Sequence, residues 1–393
     1  MPIPIPTRTT FDLFPTLYRE QIDAARTSSW YDTFEDLTFQ STIVDLAELG
    51  EEEDFLNWLE EDSIFLPEGS EGRYAAGASL PNASSNNMNR QRSNSTSSDA
   101  SSKSSISSEA PIYHLPKLNA AIRSALDKYG GSVFPKLNWT SPKDAAFILP
   151  QTASGPLYCT SPSDVYLLLK SSDFISHDLD NERAYAGCEE GEEQDAVTFM
   201  KPKLELVLKK YCDINPSREI RCFVRNNALI GITQRDNVFY DHLQSDETRI
   251  KICDTVRALW EDEVRENYDG GIDYVFDLYL SPNFQSAQII DFQPYRNSTD
   301  PLLFTYEELL SILETAFEPL PPCDEVTATT TIPKPRLPIF KAIDSQSHPS
   351  ANRNAPTYQS NMMPFEMIEF SQGRNLDEFK EAWEEALAQG LTE

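Results

Sequence analysis

Two aspartates on neighbouring alternating segments are the first residues whose spacing suggests chemistry. Asp277 lies in DYVFDLYL and Asp291 in SAQIIDFQP, with Ser281-Pro282-Asn283 between them as a turn signal. If residue 277 faces residue 291, residues 282 to 286 form the loop, and Gln293 lies on the same face as both acids. Adjacent carboxylates repel each other unless a cation lies between them, and their hard oxygens suit Mg²⁺. The alternative is a solvated strand face with two ordinary acids.

The same register places residue 279 opposite residue 289. Three apolar or aromatic residues would then share the face of the acids: Val275, Tyr279 and Ile289. The other face would be the buried one, with Phe276, Leu278, Ile290 and Phe292.

A second group of residues follows the segment SVFPKL, which reads as a strand ending at Lys136. Asn138 and Trp139 come next, and Ser141-Pro142-Lys143-Asp144 has the N-cap Ser, first-turn Pro and acid of a helix start. A lysine just before a helix N-terminus places a positive charge beside the unpaired backbone N–H groups of the first turn. This combination suits a phosphate. The alternative is a surface lysine beside a capped helix.

A third group lies on two alternating segments joined by Asn226-Asn227, which is typical of a hairpin turn. Glu219 and Arg221 share one face of EIRCFVR, and Arg235 follows the second segment. An arginine near the aspartate hairpin would neutralise a phosphoryl group and balance the acids. A cross-strand ion pair explains the same residues without a ligand.

The elements that must position these groups mix helices with hairpins. Helical spacing covers 118 to 129 and 250 to 264, and Ser161-Pro162-Ser163-Asp164 begins another helix. From Leu204 the period changes to two in LELVLKKY. We therefore predict an α+β fold with a largely antiparallel sheet.

The composition excludes several classes of protein. A net charge of −30, from 63 acidic and 33 basic residues, repels nucleic acids and anionic membranes and favours a basic protein surface. P-loop, dinucleotide and G-x-S-x-G motifs are absent, and four scattered histidines rule out a His-rich metal site. Without a signal peptide, a membrane span or paired cysteines, the expectation is a soluble, cytoplasmic protein with reduced thiols.

Composition also divides the chain into five parts. We expect residues 1–66 to form a segment on or near a main body at 111–318. The Ser- and Asn-rich stretch 67–110 and the Pro-rich stretch 319–356 are predicted to be disordered, because they have few large apolar residues to bury. Residues 357–393 are predicted to form a tail with a helix.

Several segments, in order, resemble the cell division cycle protein 123 family between about Ser28 and Leu309: SSWYDTFEDLT, GGSVFPKLNWTSPKDAAFI, LLLKSSDFISHDL, EIRCFVRNNALIGITQRD, DYVFDLYL and IIDFQPYRNSTDPLLFTYEEL. The resemblance implies an ATP-grasp-like fold, with two lobes around a nucleotide cleft that binds ATP and Mg²⁺. It also implies a role in joining the α and γ subunits of eukaryotic translation initiation factor 2, by binding the γ subunit. We expect a monomer.

The resemblance assigns residues as well. It implies that Lys136 and Arg221 contact phosphates, that Trp139 and Ser141 belong to the phosphate loop, and that the strand edge at Glu205 to Leu208 meets adenine. The predicted ATP-binding residues are Lys136, Asn138, Trp139, Ser141, Glu205, Val207, Leu208, Arg221, Arg235, Asp277, Asp291 and Gln293, of which the last three are the predicted Mg²⁺ ligands. Gln293 stands where the family usually has Asn.

Two further questions stay open at the level of sequence. The same fold serves assembly chaperones and ligases or phosphotransferases that activate a carboxylate, and ATP turnover is not settled. A plain binding module with a decayed site is a third class. In SSWYDTFEDL, the aromatic residues Trp30, Tyr31 and Phe34 either anchor a client protein or pack onto the body.

Overall fold

Two lobes, each built around its own β-sheet, make up the part of the chain that can be described. The computed structural model describes residues 11–61, 65–72, 113–146, 148–149, 157–189, 203–318 and 336–348. Within these ranges the helices are α1 (Arg19–Ala24), α2 (Thr27–Trp30), α3 (Leu46–Leu49), α4 (Glu52–Glu60), α5 (Pro116–Lys128), α6 (Pro162–Lys170), α7 (Ser176–Leu179), α8 (Asn181–Ala184), α9 (Asp246–Leu259) and α10 (Tyr306–Phe317). No helix of the described ranges is long and apolar enough to cross a bilayer.

The small lobe contains a three-stranded antiparallel sheet, in the order β1 (Ser41–Asp45), β3 (Glu205–Lys210) and β2 (Val133–Lys136). The strands alternate, so that Leu206 and Leu208 of β3 point into the same core as α5 and α6. This core packs helices against one face of the sheet only. The other face of the sheet, with Lys136, Val207 and Lys209, turns towards the large lobe.

The large lobe contains a five-stranded sheet in the order β7 (Ala287–Pro294), β6 (Tyr274–Leu280), β4 (Glu219–Arg225), β5 (Ala228–Gln234) and β8 (Ile339–Lys341). Only the β5–β8 pair is parallel, so the predicted α+β fold with largely antiparallel sheets is confirmed. Alternation buries Cys222 against α9 on one face and Phe223 against α10 on the other.

Both hairpins of the large lobe form as expected. Asn226 and Asn227 adopt φ angles of 50° and 54°, the left-handed conformation of a two-residue hairpin turn. Asp277 lies opposite Asp291, as the alternation predicts. The register beyond this pair was predicted wrongly: Leu278 faces Ile289 and Tyr279 faces Gln288, because Ile290 is an extra, bulged residue.

The bulge also changes which side chains are buried. Ile289, expected on the face of the aspartates, lies instead in the core beneath the sheet with Phe276 and Phe292. Ile290, expected in that core, is half-buried. A single extra residue reverses the alternation on one side of the bulge.

The two Ser-Pro helix starts have different outcomes. Ser161 caps α6 in a reciprocal arrangement with Asp164. After Ser141, however, only a single 3₁₀ turn forms (Lys143–Ala145), and no side chain caps it. The prediction of a helix there is wrong because the carboxylate of Asp144 accepts from the hydroxyl of Ser172 and from two amides beyond α6 instead of serving the turn.

The aromatic residues of the N-terminal segment pack onto the body. Trp30 and Phe34 are each 2% exposed, and their rings lie 5.3 and 5.5 Å from that of Phe292. Tyr31 is also buried, and its hydroxyl accepts from the amide of Ser41 at 2.9 Å. Of the two interpretations left open, the client-anchor hypothesis is wrong.

The predicted boundaries need two corrections. Residues 67–72, counted with the disordered linker, form a turn in which Ser70 is fully buried and accepts from the amide of Ser163. Within the Pro-rich stretch, Ile339–Lys341 forms the edge strand β8. The remainder of both stretches, 73–110, 319–335 and 349–356, and the predicted helical tail 357–393 lie outside the described residues.

Candidate functional site

An ion pair joins the two lobes at their charged faces. Lys136 is the last residue of β2, and its ammonium nitrogen lies 2.5 Å from both carboxylate oxygens of Asp291 on β7. Lys136 is 1% exposed, whereas the side chain of Asp291 is 15% exposed. The sequence placed Lys136 at a strand end and Asp291 on a hairpin, and the structure brings the two together.

Asp277 is fixed by two arginines. Arg221, which faces it from β4, donates to both of its carboxylate oxygens at 2.8 and 2.9 Å, and Arg235 forms an ion pair with it at 3.2 Å. Arg235 also donates to Glu219 at 3.2 Å. Burial by itself would raise the pKa of Asp277, but the two guanidinium groups outweigh it and lower that pKa to about 2. Glu219, Arg221 and Arg235, which formed the third group of candidate residues in the sequence, are therefore an ion-pair network around Asp277.

Two further lysines lie near these carboxylates, Lys143 near both aspartates and Lys209 near Asp291. Burial and the charge of Arg235 lower the pKa of Lys143 to about 8, and Asp277, Asp291 and Glu219 oppose this only in part. Among the described residues, the side chain of Lys143 has no hydrogen-bond or ion-pair partner. Burial and the charge of Lys136 lower the pKa of Lys209 to about 7. We call Lys136, Lys143, Lys209, Arg221, Arg235, Glu219, Asp277 and Asp291 the interlobe charge cluster.

Lys209 shows what the bulge in β7 does. Its ammonium donates at 2.8 Å to the carbonyl of Ile290, the bulged residue, and lies over the ring of Trp30. A bulge leaves one residue without a partner in the strand ladder, which frees its carbonyl for another donor. This second bond between the lobes supports the Lys136–Asp291 pair.

Lys209 was missed at the level of sequence. The signal was present, because alternation in LELVLKKY places Lys209 on the face of Glu205 and Val207. At the level of sequence, Lys143 belongs only to the predicted helix start after Ser141.

The expected adenine-binding edge of β3 is only partly free. β3 is the central strand of its sheet, and Val207 lies opposite Ile43 on one side and Lys136 on the other. Leu208 likewise pairs with both neighbours, and the carboxylate of Glu205 accepts from Ser28 and pairs with Arg26. Val207 and Leu208 are paired on both sides and have no free backbone edge, so that part of the prediction is wrong. Glu205 and Leu206 pair with β1 alone, and an adenine contact at these two residues stays a prediction.

The loop after Lys136 is held by the protein itself. The side chain of Asn138, fully buried, accepts from the amide of Glu205 and donates to the carbonyl of Lys203. The indole of Trp139 donates to the carbonyl of Ile22. These contacts occupy both side chains and make them supports of the loop. Ser141 is half-buried.

Gln293 lies beyond Asp291 on β7, opposite Val275. It is half-buried, and its side chain makes no hydrogen bond within the described ranges. Of the three predicted metal ligands, Asp277 and Asp291 therefore come together, and Gln293 lies on the same face without a protein partner.

Two lobes, with largely antiparallel sheets that face each other across a charge cluster, define an ATP-grasp-like α+β protein. The chain belongs to the D123 family, whose family model matches residues 30–371.

Relatives and solved structures agree with this assignment. A protein of Botryotinia fuckeliana, described as a translation initiation factor eIF2 assembly protein, is 30% identical over 381 residues, which cover 91% of this chain and 85% of that protein. One of Xenopus laevis with the same description is 34% identical over 293 residues, covering 74% and 78%. The structure of Cdc123 from Schizosaccharomyces pombe superposes with a TM-score of 0.55 at 30% identity, and covers 76% of this chain and 94% of that one.

Proposed function

We propose that this chain is an ATP- and Mg²⁺-binding assembly factor, which promotes formation of eukaryotic translation initiation factor 2 by binding its γ subunit. The similarity to the Botryotinia and Xenopus proteins described as eIF2 assembly proteins supports the assembly role. The interlobe charge cluster supports the nucleotide.

The proposal that ATP binds at this cluster rests on an excess of cations in a strongly acidic protein. The cluster holds five cationic side chains and three carboxylates, while the whole chain has a net charge of −30. The side chain of Lys143 has no partner within the described residues, and burial together with neighbouring cations lowers the pKa values of Lys143 and Lys209. A polyphosphate supplies negative charge, so these residues fit ATP.

The two aspartates fit a Mg²⁺ ion that is shared with phosphates. Asp277 and Asp291 lie opposite each other on β6 and β7, but the described residues contain no group of three metal-ligating acids, histidines or cysteines. With so few protein ligands, the ion would complete its shell with phosphate and water oxygens, as Mg²⁺ commonly does. When bound, the metal neutralises charge on the phosphates.

The residues of the cluster differ in what they do for such a ligand. Arg221 is held on both sides, by Asp277 and by the carbonyl of Asp300 at 2.7 Å, so its guanidinium is preorganised. Lys136 bridges the lobes, and Lys143 is free to bind an anion without breaking a protein contact. Binding therefore needs little rearrangement of the large lobe.

The net charge of the chain favours a partner with a basic surface. Because Trp30 and Tyr31 are buried in the body, they cannot anchor a client. An excess of 30 negative charges attracts a basic protein surface and mainly speeds the encounter, so the association with the γ subunit should weaken as salt rises.

The test is to titrate the isolated γ subunit with the full chain, with and without Mg-ATP, at two salt concentrations. Lys136→Ala should impair assembly of the factor while the protein stays folded. Lys203→Ala is the matched control, because Lys203 precedes β3 on the small lobe but is exposed and pairs with Asp45. Absence of γ-subunit binding in every condition, together with ATP turnover that depends on a small carboxylate, would assign the chain to the ligases instead.

A further inference from the structure

A line of hydrogen bonds crosses between the lobes outside the interlobe charge cluster. His177, in α7 of the small lobe, lies with Nδ1 at 3.0 Å from Oδ1 of Asp178. Its Nε2 lies 3.1 Å from the guanidinium of Arg296, which follows β7 in the large lobe. Arg296 also donates to the carbonyl of Ala184 at 2.9 Å.

The partners determine the state of the imidazole. A guanidinium can only donate, so Nε2 of His177 must accept and carry no proton. The proton then lies on Nδ1, which donates to the carboxylate of Asp178. The contacts assign a neutral ring in one tautomer.

The two ends of this line hold the two segments that carry Lys136 and Asp291. Asp178 accepts from the amides of Trp139 and Thr140 and from the Thr140 hydroxyl, at 2.6 to 3.0 Å, and so fixes the loop that directly follows Lys136. Arg296 follows Asp291 just beyond the end of β7. His177 therefore ties the lysine loop to the aspartate strand.

We propose that His177 is a positioning residue for the nucleotide, acting through its neutral ring to hold Lys136 and Asp291 at their working separation. The proposal rests on the proposed function of the interlobe charge cluster. His177 itself touches none of the cluster residues by any hydrogen bond in the described part of the chain.

Protonation would open the line at one defined contact. A proton on Nε2 would face the Arg296 guanidinium, and two cationic donors cannot bond to each other. The charged groups nearest to the ring are Asp178 and the ion pair of Arg183 with Asp180 at the start of α8. Beyond the ring of Trp139 lie Arg26 and Tyr185, whose hydroxyl donates to Asp23 of α1. Asp178 stays bonded to the lysine loop, so acid would release Arg296 and leave the loop in place.

The test uses the full-length chain and measures Mg-ATP affinity by calorimetry at pH 7.5 and 5.5. His177→Ala should weaken binding at pH 7.5 by about fivefold, the size expected for one charged hydrogen bond that acts through geometry. His177→Gln keeps an acceptor for Arg296 and a donor for Asp178 but cannot take up a proton. It should bind as the wild type does at pH 7.5, and its loss of affinity at pH 5.5 should be smaller.

The nucleotide itself also gains protons at low pH. Because this affects both proteins equally, the contribution of His177 is the difference between the wild type and His177→Gln. His242→Gln, at an exposed histidine of the large lobe, is the matched control and should keep the wild-type pH profile. Identical pH profiles for the wild type and His177→Gln, or wild-type affinity in His177→Ala, would overturn the proposal.

A second measurement separates this proposal from the function on which it rests. The nitrogen chemical shifts of the imidazoles should show, for His177 at pH 7.5, a protonated Nδ1 and a bare Nε2, and Arg296→Met should change them. If the wild type fails to bind Mg-ATP although His177 has this tautomer, the proposed function is wrong and the line is a purely structural link. If Nε2 carries the proton, the positioning proposal is wrong whatever the nucleotide affinity.

Discussion

Lys136 and Asp291 lie 155 residues apart in the chain, and their side chains form an ion pair of 2.5 Å across the boundary between the lobes. The lysine is buried and the aspartate is partly exposed, so the pair is accessible to a ligand from one side. The carboxylate can thus accept a second cation without exposing the lysine.

Asp277 is expected to be essential for stability as well as for binding. Its carboxylate is buried between Arg221 and Arg235, and removal of one partner from a buried ion pair leaves the others uncompensated. Asp277→Ala should lower the free energy of unfolding by about 3–5 kcal/mol, measured by urea denaturation. Glu247→Ala, which breaks the exposed pair with Lys251, should leave the free energy of unfolding nearly unchanged.

Asp277→Ala would thus change folding as much as binding. If Asp277→Ala is as stable as the Glu247 variant, the network around Asp277 contributes little.

Lys143→Ala should separate nucleotide binding from stability. The side chain of Lys143 has no partner in the described residues, so its removal leaves no group unpaired and relieves repulsion from Arg235. Mg-ATP affinity should fall by about tenfold, as expected when one charged contact of about 1.4 kcal/mol is lost, while the melting temperature is unchanged or rises. Calorimetry and thermal unfolding check the two parts, with Lys203→Ala as the control, and equal affinities in both variants would argue against a phosphate at Lys143.

Binding of ATP should take up protons near pH 8. The pKa values of Lys143 and Lys209 are lowered to about 8 and about 7, so both are largely neutral above that range. A neighbouring phosphate favours the charged form and raises both, and net uptake should approach about one proton per ATP. Calorimetry in buffers of different ionisation enthalpy measures this number.

Lys209→Met should reduce the number of protons taken up when ATP binds.

The lowered pKa values also affect folding in the absence of ligand. Between about pH 7 and the ordinary lysine pKa of about 10.4, the unfolded chain binds more protons than the folded one, so the free energy of unfolding should rise with pH in that window. A flat stability profile there, or proton release on binding, would contradict the lowered pKa values.

The edge strand β8 should contribute measurably to the large lobe. Ile343, fully buried just after β8, donates its amide to the side chain of Gln234 at 3.0 Å, and Gln244 donates to its carbonyl. A chain that ends at residue 335 should melt about 5–10 °C lower than one that ends at residue 348, which retains these contacts. Equal melting temperatures would show that β8 is not part of the stable body.

Local pattern was sufficient for the elements and for much of the site. Alternation predicted the hairpins and placed Asp277 opposite Asp291, and capping chemistry predicted α6, because these signals depend on residues close together in the chain. The same kind of pattern failed at Ile290, since a bulge depends on what the neighbouring strand and the opposite lobe require.

Tertiary structure alone decided which charges meet. No local pattern shows that β3 is a central strand, that Asp144 bonds beyond α6 and leaves the turn after Ser141 uncapped, or that His177 joins Arg296. Each of these depends on how segments far apart in the chain dock. The energy of an ion pair or a hydrogen bond depends on final distance and burial, which a local pattern does not contain. The sequence by itself thus determined the strands and their acidic and basic residues, and the docking of the two lobes determined that Lys136 and Asp291 form a pair.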